Sequence, residues 1–258
     1  SRLKYGEYAI PPQTTPRQLL ALFASGKVRH YSLTFVEGWS FRQMLDAISR
    51  EPALSHHIDG KPPREIMELI DAPGEDAEGR FYPDTYFFAK GTDDLDLLRR
   101  AYRKMQTVLA EEWQGRAADL AVRSPYEALI LASIVEKETG LPAERAKIAG
   151  VFSRRLAKGM LLQTDPTVIY GMGETYAGNI RKEDLLRDTP FNTYQHTGLP
   201  PTPIAMPGLA ALHAALHPEP GDSLYFVARG DGGHVFSKTL AEHNQAVEQY
   251  QKHKGQHE

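Results

Sequence analysis

The sequence contains no cysteine. That excludes disulfides, thiolate metal ligands and a cysteine nucleophile, and leaves the compartment open. Long apolar runs are also missing. The most hydrophobic stretch, residues 128–135, is interrupted by Ser133 and is far short of the ~20 residues a spanning helix needs. No secretory signal pattern is visible. No block of Lys and Arg occurs and the net charge is −3, so nucleic acid is not expected as a partner. The Gly-x-Ser-x-Gly elbow, the phosphate-binding P-loop and the dinucleotide fingerprint are absent. The ten histidines do not suggest metal: His56 and His57 are adjacent, and the arrangement is read as lacking the spacings of helical or finger zinc sites. Neither metal nor cofactor is expected. The opening Ser1-Arg-Leu-Lys-Tyr reads as mid-domain, so a natural N-terminal part is expected to precede it.

What is present is an ordinary folded composition, 41% hydrophobic and 24% charged over 258 residues, enough for one large domain or two modest ones. Capping boxes mark helix starts at Thr15-Pro-Arg-Gln18, Ser40-Phe-Arg-Gln43, Ser124-Pro-Tyr-Glu127 and Thr239-Leu-Ala-Glu242. Gly26, Gly140 and Gly159 stand where left-handed helix ends are expected. The first two boxes belong to a weak repeat at an offset of 25, each copy reading as a short extended segment followed by a helix. Residues 1–89 therefore read as a small α+β region, serving either as a packing unit or as a glycan-binding module.

The spacing of Leu95, Leu98, Tyr102, Met105 and Leu109 predicts a long amphipathic helix over 92–113. Helices are also predicted over 125–139, 142–158 and 240–252. Between them, 160–208 is proline-rich and read as loop, and 224–237 reads as a β-hairpin with its turn at 230–233. The fold class is α+β, with units 1–89 and 90–258.

Two features can carry chemistry. Loops beyond about 12–15 residues tend to be functional or disordered, and 160–208 holds Gln163, Asp165, Tyr170, Asn192, Tyr194 and His196. Prolines mixed with amides and aromatics suit a carbohydrate groove, or simply a rigid structural loop. The second feature is Glu138, which shares a helical-wheel arc with Leu131, Ile134 and Val135, while Glu136 falls on the opposite side near Ser133. A carboxyl at the end of an apolar stripe is either a desolvated acid of raised pKa or a solvated helix end.

Several segments resemble one family, in order and over essentially the whole chain. They are Glu78-Gly-Arg-Phe-Tyr-Pro-Asp-Thr-Tyr86, Ala132-Ser-Ile-Val-Glu-Lys-Glu-Thr139, Leu162-Gln-Thr-Asp-Pro-Thr-Val-Ile-Tyr-Gly171, Phe191-Asn-Thr-Tyr194, Thr197-Gly-Leu-Pro-Pro201, Ile204-Ala-Met-Pro-Gly208, Leu224-Tyr-Phe-Val227, Gly232-Gly-His-Val-Phe236 and His243-Asn244. The family is that of the YceG-like (MltG) endolytic murein transglycosylases. The resemblance implies a LysM-like region before a catalytic domain, and anchoring in the bacterial inner membrane by an N-terminal helix, with the catalytic part in the periplasm. It further implies internal cleavage of nascent peptidoglycan strands between N-acetylmuramic acid and N-acetylglucosamine, with an influence on strand length and contact with wall-synthesis machinery. It places the essential glutamate in Glu136-Lys137-Glu138. We carry it to Glu138, with Glu136 as alternate, because Thr139 resembles the Ser of the Glu-Ser pair in other lytic transglycosylases. Gln163, Asn192 and Tyr194 become candidates for holding the substrate's N-acetyl group, and Asp165 for orienting a neighbour or opening a turn. A lysozyme-like hydrolase and a non-catalytic peptidoglycan-binding protein are the rival readings.

With no thiolate and no metal-spaced histidine, strand cleavage should proceed at an unchanged rate after exhaustive EDTA treatment. A loss of activity restored by zinc or magnesium would contradict this.

Overall fold

The computed structural model describes residues 6–250. Its class is α+β: helices dominate, and strands pair only two by two. Helix α1 (Pro16–Ser25) starts at the Thr15/Gln18 box and stops at Gly26, whose φ of 68° is left-handed. Strand β1 (His30–Thr34) pairs antiparallel with β3 (Thr85–Ala89), His30 opposite Ala89 and Thr34 opposite Thr85. Helix α2 (Phe41–Ser49) starts at the Ser40/Gln43 box and buries Phe41, Met44 and Ile48. Strand β2 (Leu54–Ser55) lies parallel to β4 (Thr92–Asp93), and α3 (Pro63–Leu69) buries Ile66 and Met67. The repeat is thus real at the caps and not before them. Residues 8–11 form no strand, since Pro11 and Pro12 offer no N–H to a ladder, and α1 buries none of its residues.

Helix α4 (Asp94–Gln114) joins two hydrophobic clusters. Leu95, Leu97, Leu98 and Ala101 pack with Phe35, Phe81 and Phe88 in the first, whereas Met105 and Leu109 join the second. The second cluster surrounds α5 (Pro125–Glu138), where every residue from Ala128 to Val135 is buried. Helices α6 (Arg145–Ala157) and α9 (Leu209–Leu216) pack against it. A single 3-10 turn, Pro142–Glu144, precedes α6. Residues 160–208 are not all loop: they contain α7 (Asp165–Met172) and α8 (Lys182–Leu186), with Pro166 in the first turn of α7. The hairpin is present as β5 (Tyr225–Ala228) and β6 (His234–Ser237), with Tyr225 opposite Ser237. Helix α10 (Leu240–Tyr250) follows, and its expected extension to 252 lies outside the described residues.

Gly140 does not cap α5 in the left-handed region. The helix ends instead because Thr139 is extended, at φ −146° and ψ 134°, which turns the chain away immediately after Glu138.

Residues 203–208 form a strap between the two clusters. The Met206 N–H donates to Trp39 O at 2.7 Å and the Gly38 N–H to Met206 O at 2.8 Å. On the other side, the Ile204 N–H donates to Ser133 Oγ at 3.0 Å and the Gly208 N–H to Glu136 Oε2 at 2.9 Å. The strap presses on Gly79, which has φ 77°. A Cβ there would lie 2.4 Å from Pro203 Cβ. Gly79→Ala should therefore cost about 2–4 kcal/mol, from left-handed strain plus overpacking. Gly74→Ala, at φ 81° with open space around it, should cost about 1–2 kcal/mol from the strain alone. Urea denaturation of both variants checks the difference.

Candidate active site

Glu138 occupies the last turn of α5, where helix carbonyls already make an anion unfavourable. Its carboxyl lies at the foot of a cavity of about 550 Å³. Gln163, Asp165 and Tyr194 line one side; Tyr225, His234 and His243, from the hairpin and α10, line the other. The Thr164 hydroxyl donates to Glu138 Oε1. Among the described residues Glu138 forms no ion pair. Burial dominates its titration and pushes the pKa up to about 7; Asp165 raises it further, while the Thr164 bond and His234 oppose. A carboxyl poised there holds its proton near neutrality yet can release it, as a general acid that later acts as base requires.

Arg155, reaching from α6, assembles the surrounding wall. Its Nε donates to Leu224 O at 2.6 Å, and one terminal nitrogen reaches Leu161 O at 3.1 Å, Leu162 O at 2.9 Å and Gln163 Oε1 at 3.4 Å. The guanidinium also lies 5.1 Å from the Tyr225 ring centroid. Gln163 sits at φ 50°, a costly conformation for a non-glycine residue, held by its own N–H bond to Thr193 O at 3.0 Å. Tyr194 donates its hydroxyl to Asp165 Oδ1 at 2.6 Å. On the far side, His234 Nδ1 lies 2.7 Å from Glu144 Oε2, and the His234 N–H donates to Glu144 Oε1 at 3.0 Å. Burial would raise the Glu144 carboxyl, but these bonds from His234 hold it below its usual value.

Gln163, Asp165 and Tyr194 thus share a cavity with Glu138, and Asn192 does not. Asn192 is buried, its Nδ2 within reach of the carbonyls of Asp184 (3.2 Å), Leu185 (3.1 Å) and Arg187 (2.7 Å). Its Oδ1 accepts the Tyr194 N–H at 3.0 Å. With its amide spent, Asn192 shapes the turn that presents Tyr194 and has nothing left for a substrate. Tyr170 points elsewhere, to Glu78 at 3.2 Å, and His196 pairs with Asp188 at 2.6 Å.

Glu136 does not face solvent either. Its side chain is only 7% exposed and lies 3.7 Å from Arg145, with Gly208 N–H as donor. Ser133 is fully buried. From Ala128 to Val135 the helix is enclosed on every side and shows no polar face, and in the following turn only Lys137 is exposed, so the wheel could not separate the two glutamates. Burial raises Glu136 as well, but it lies outside the cavity.

Thr164, Arg155, Tyr225, His234 and His243 were not singled out from the sequence, although all but Arg155 fall inside the family-like segments. Their approach to Glu138 depends on contacts between distant parts of the chain. One further reading needs correction: His213 and His217 are four apart, the spacing of a helical histidine pair.

Residues 1–249 match the YceG-like family. The chain belongs to that family. It is 43% identical to the endolytic murein transglycosylase of Bacillus subtilis (strain 168) over 173 residues, 67% of this chain and 48% of that protein. It is 31% identical to the endolytic murein transglycosylase of Streptococcus pneumoniae serotype 2 over 211 residues, 78% of this chain and 37% of that protein. The chain therefore spans half or less of the length of these relatives. A crystal structure of a putative YceG-like protein from Listeria monocytogenes superposes with a TM-score of 0.71 at 34% identity, covering 94% of this chain and 84% of that one.

In this member of the YceG-like family, Glu138→Gln should abolish strand cleavage while leaving the fold intact, a loss of about 10²–10⁴-fold if the group is the general acid. Glu136→Gln keeps an acceptor for Gly208 and should retain measurable activity. The reverse pattern in purified variants would move the acid two residues toward the N-terminus. With the acidic form as the working one, as a general acid requires, kcat/KM should fall as pH rises through about 7. Stability should follow the same sign. Glu78, also buried and also raised to about 7 by burial, binds its proton more tightly folded than unfolded. Both groups therefore weaken folding as pH climbs from the ordinary carboxylate range to about 7, by on the order of 1–3 kcal/mol each. Chemical denaturation at pH 5 and pH 8 measures it.

Proposed function

We propose that this chain is the catalytic portion of an endolytic peptidoglycan lytic transglycosylase that uses Glu138 as its single acid–base. The observation that carries the reading is a desolvated carboxyl of near-neutral pKa, in no ion pair among the described residues, at a cavity lined by tyrosines and hydrogen-bonding side chains. Membership of a family whose curated members are named endolytic murein transglycosylases supports it.

The chemistry follows from that one carboxyl. Protonated Glu138 donates to the glycosidic oxygen between N-acetylmuramic acid and N-acetylglucosamine. That bond breaks as positive charge develops at C1 of the muramic acid. The glutamate left behind then takes the proton of the same sugar's C6 hydroxyl, whose oxygen bonds to C1 and closes a 1,6-anhydro ring. The acid is regenerated and no water is consumed. Gln163 and Tyr194 are assigned to holding the N-acetyl group and Asp165 to orienting Tyr194, a reading supported by their shared cavity and the Tyr194–Asp165 bond. The burial that raises Glu138 also favours the neutral acid at the start of the cycle.

Hydrolysis is the second reading, and Asp165 is the observation behind it. Two-carboxyl glycosidases need a base or nucleophile opposite the acid, and Asp165 shares the cavity. Its engagement with Tyr194 and the near-neutral Glu138 favour the one-carboxyl route. In the whole protein we expect a membrane helix before these residues, a periplasmic position, a LysM-like role for the first region and contact with wall-synthesis machinery. Among the described residues no helix is long and apolar enough to cross a membrane.

Mass spectrometry of products from uncrosslinked glycan strands tests the reaction. Ends one water lighter than reducing ends are expected throughout. Reducing ends alone would make the enzyme a hydrolase, and intact strands would leave only binding.

A further inference from the structure

On the face of the molecule formed by the ends of α4 and α9, three metal-ligating side chains converge outside the cavity. Glu112 stands in the last turn of α4. His213 lies on α9 and His217 immediately follows that helix, so the two rings project from one face one turn apart. They stack with centroids 4.1 Å apart and 20° between planes. Glu112 Oε2 is 2.9 Å from His213 Nδ1. One ligating atom from each of the three lies within 4.8 Å of the other two.

The hydrogen bonding of His217 is what a neutral ring cannot satisfy. Its Nε2 lies 2.9 Å from Gly115 O and its Nδ1 lies 3.2 Å from His213 O. A neutral imidazole has one N–H, so one nitrogen must turn a lone pair toward a carbonyl oxygen. Protonating the ring would satisfy both oxygens but bring a cation against the stacked face of His213. A metal ion resolves the conflict differently. With Nε2–H given to Gly115 O, as a ligating histidine commonly does with a backbone carbonyl, Nδ1 keeps a lone pair that reaches the ion once the ring turns slightly away from His213 O.

We propose that Glu112, His213 and His217 bind a divalent transition ion of the zinc type. Two imidazoles and one carboxylate suit Zn²⁺ at about 2.0–2.2 Å, with water completing a tetrahedron. Such donors stand roughly 3.4 Å apart, so binding draws the cluster together slightly. His213, which is exposed, can rotate to do so. The ion would pin the end of α4 to the end of α9, next to the bond from the Ala117 N–H to Leu216 O at 3.0 Å. Since α9 packs along α5, the ion braces the helix that carries Glu138 without entering its chemistry. None of the three ligands lines the cavity.

The test uses the full chain, stripped with EDTA and titrated with ZnCl₂ by calorimetry and by thermal unfolding. Expected are one ion bound per chain, a raised Tm and an unchanged cleavage rate, with binding weakened at least about tenfold in His217→Ala and Glu112→Gln. His213→Gln provides a second, exposed variant should His217→Ala fold poorly. Replacing Zn²⁺ with Co²⁺ adds a visible spectrum that reports nitrogen ligation and is lost in His213→Gln. Absence of binding would overturn the proposal. So would Zn²⁺ binding or Tm gains of the same size in the histidine variants, or a Co²⁺ spectrum unaltered by them. Strand cleavage that depends on the ion would likewise overturn the bracing role.

Discussion

Enclosing α5 on all sides from Ala128 to Val135 is the constraint from which the site follows. A buried helix must have its polar side chains partnered, since an orphaned group costs about 1–3 kcal/mol. Besides the exposed Lys137, helix α5 has three in its second half. Ser133 donates to Ile130 O at 2.7 Å and accepts the Ile204 N–H. Glu136 takes the Gly208 N–H, and Glu138 takes the Thr164 hydroxyl. The first two bonds seat the strap, and the third seats the loop that forms the cavity floor. Thr164, Thr167 and Thr193 then bond among themselves, with Thr167 and Thr193 hydroxyls 2.9 Å apart, so the loop carrying Gln163 and Asp165 is fixed from behind. The placement of the cavity residues depends on satisfying buried polar atoms more than on apolar packing.

The same loop shows how much is spent on placement. Arg155 is a buried cation, 7% exposed, whose bonds run to carbonyl oxygens of Leu161, Leu162 and Leu224 and to the Gln163 amide. It gathers the Gln163 loop and the start of the hairpin around one planar group, a geometry lysine could not reproduce. Gln163 stays in a strained conformation and Glu138 stays desolvated. Each lowers stability locally, and the two meet in one cavity, a combination expected of a working site; the raised carboxyl of Glu78 and the positive φ of Gln13 and Asp71 occur singly outside it.

Much of the fold was legible because it is encoded locally. The Thr15, Ser40 and Thr239 capping boxes form between neighbours in sequence, and the Gly230–Gly233 turn closes the hairpin on its own chemistry. Glu138 is chosen over Glu136 by an argument with a flawed step: the wheel assumed a polar face that the enclosed part of the helix lacks, so the similarity of Thr139 to a known pairing carries the choice. Asn192 misled because an amide in a polar loop resembles a ligand-binding group until its partners are seen. Arg155, Thr164 and the hairpin wall were out of reach, since each acts on residues brought together only by tertiary packing. Tyr170 and Glu78, 92 positions apart, meet for the same reason.

Along the strap, Ile204 belongs to the second hydrophobic cluster and Met206, two residues on, to the first. Around them the backbone donates alternately to α5 and to the Gly38–Trp39 turn. Such a segment works like a zip with teeth on both edges. Slipping it by one residue would exchange its faces and break the contacts on both sides at once, so it has one stable register. The two clusters are consequently joined by a coupling that resists sliding. The two walls that the clusters support are thereby held in one fixed spacing rather than working as separate jaws.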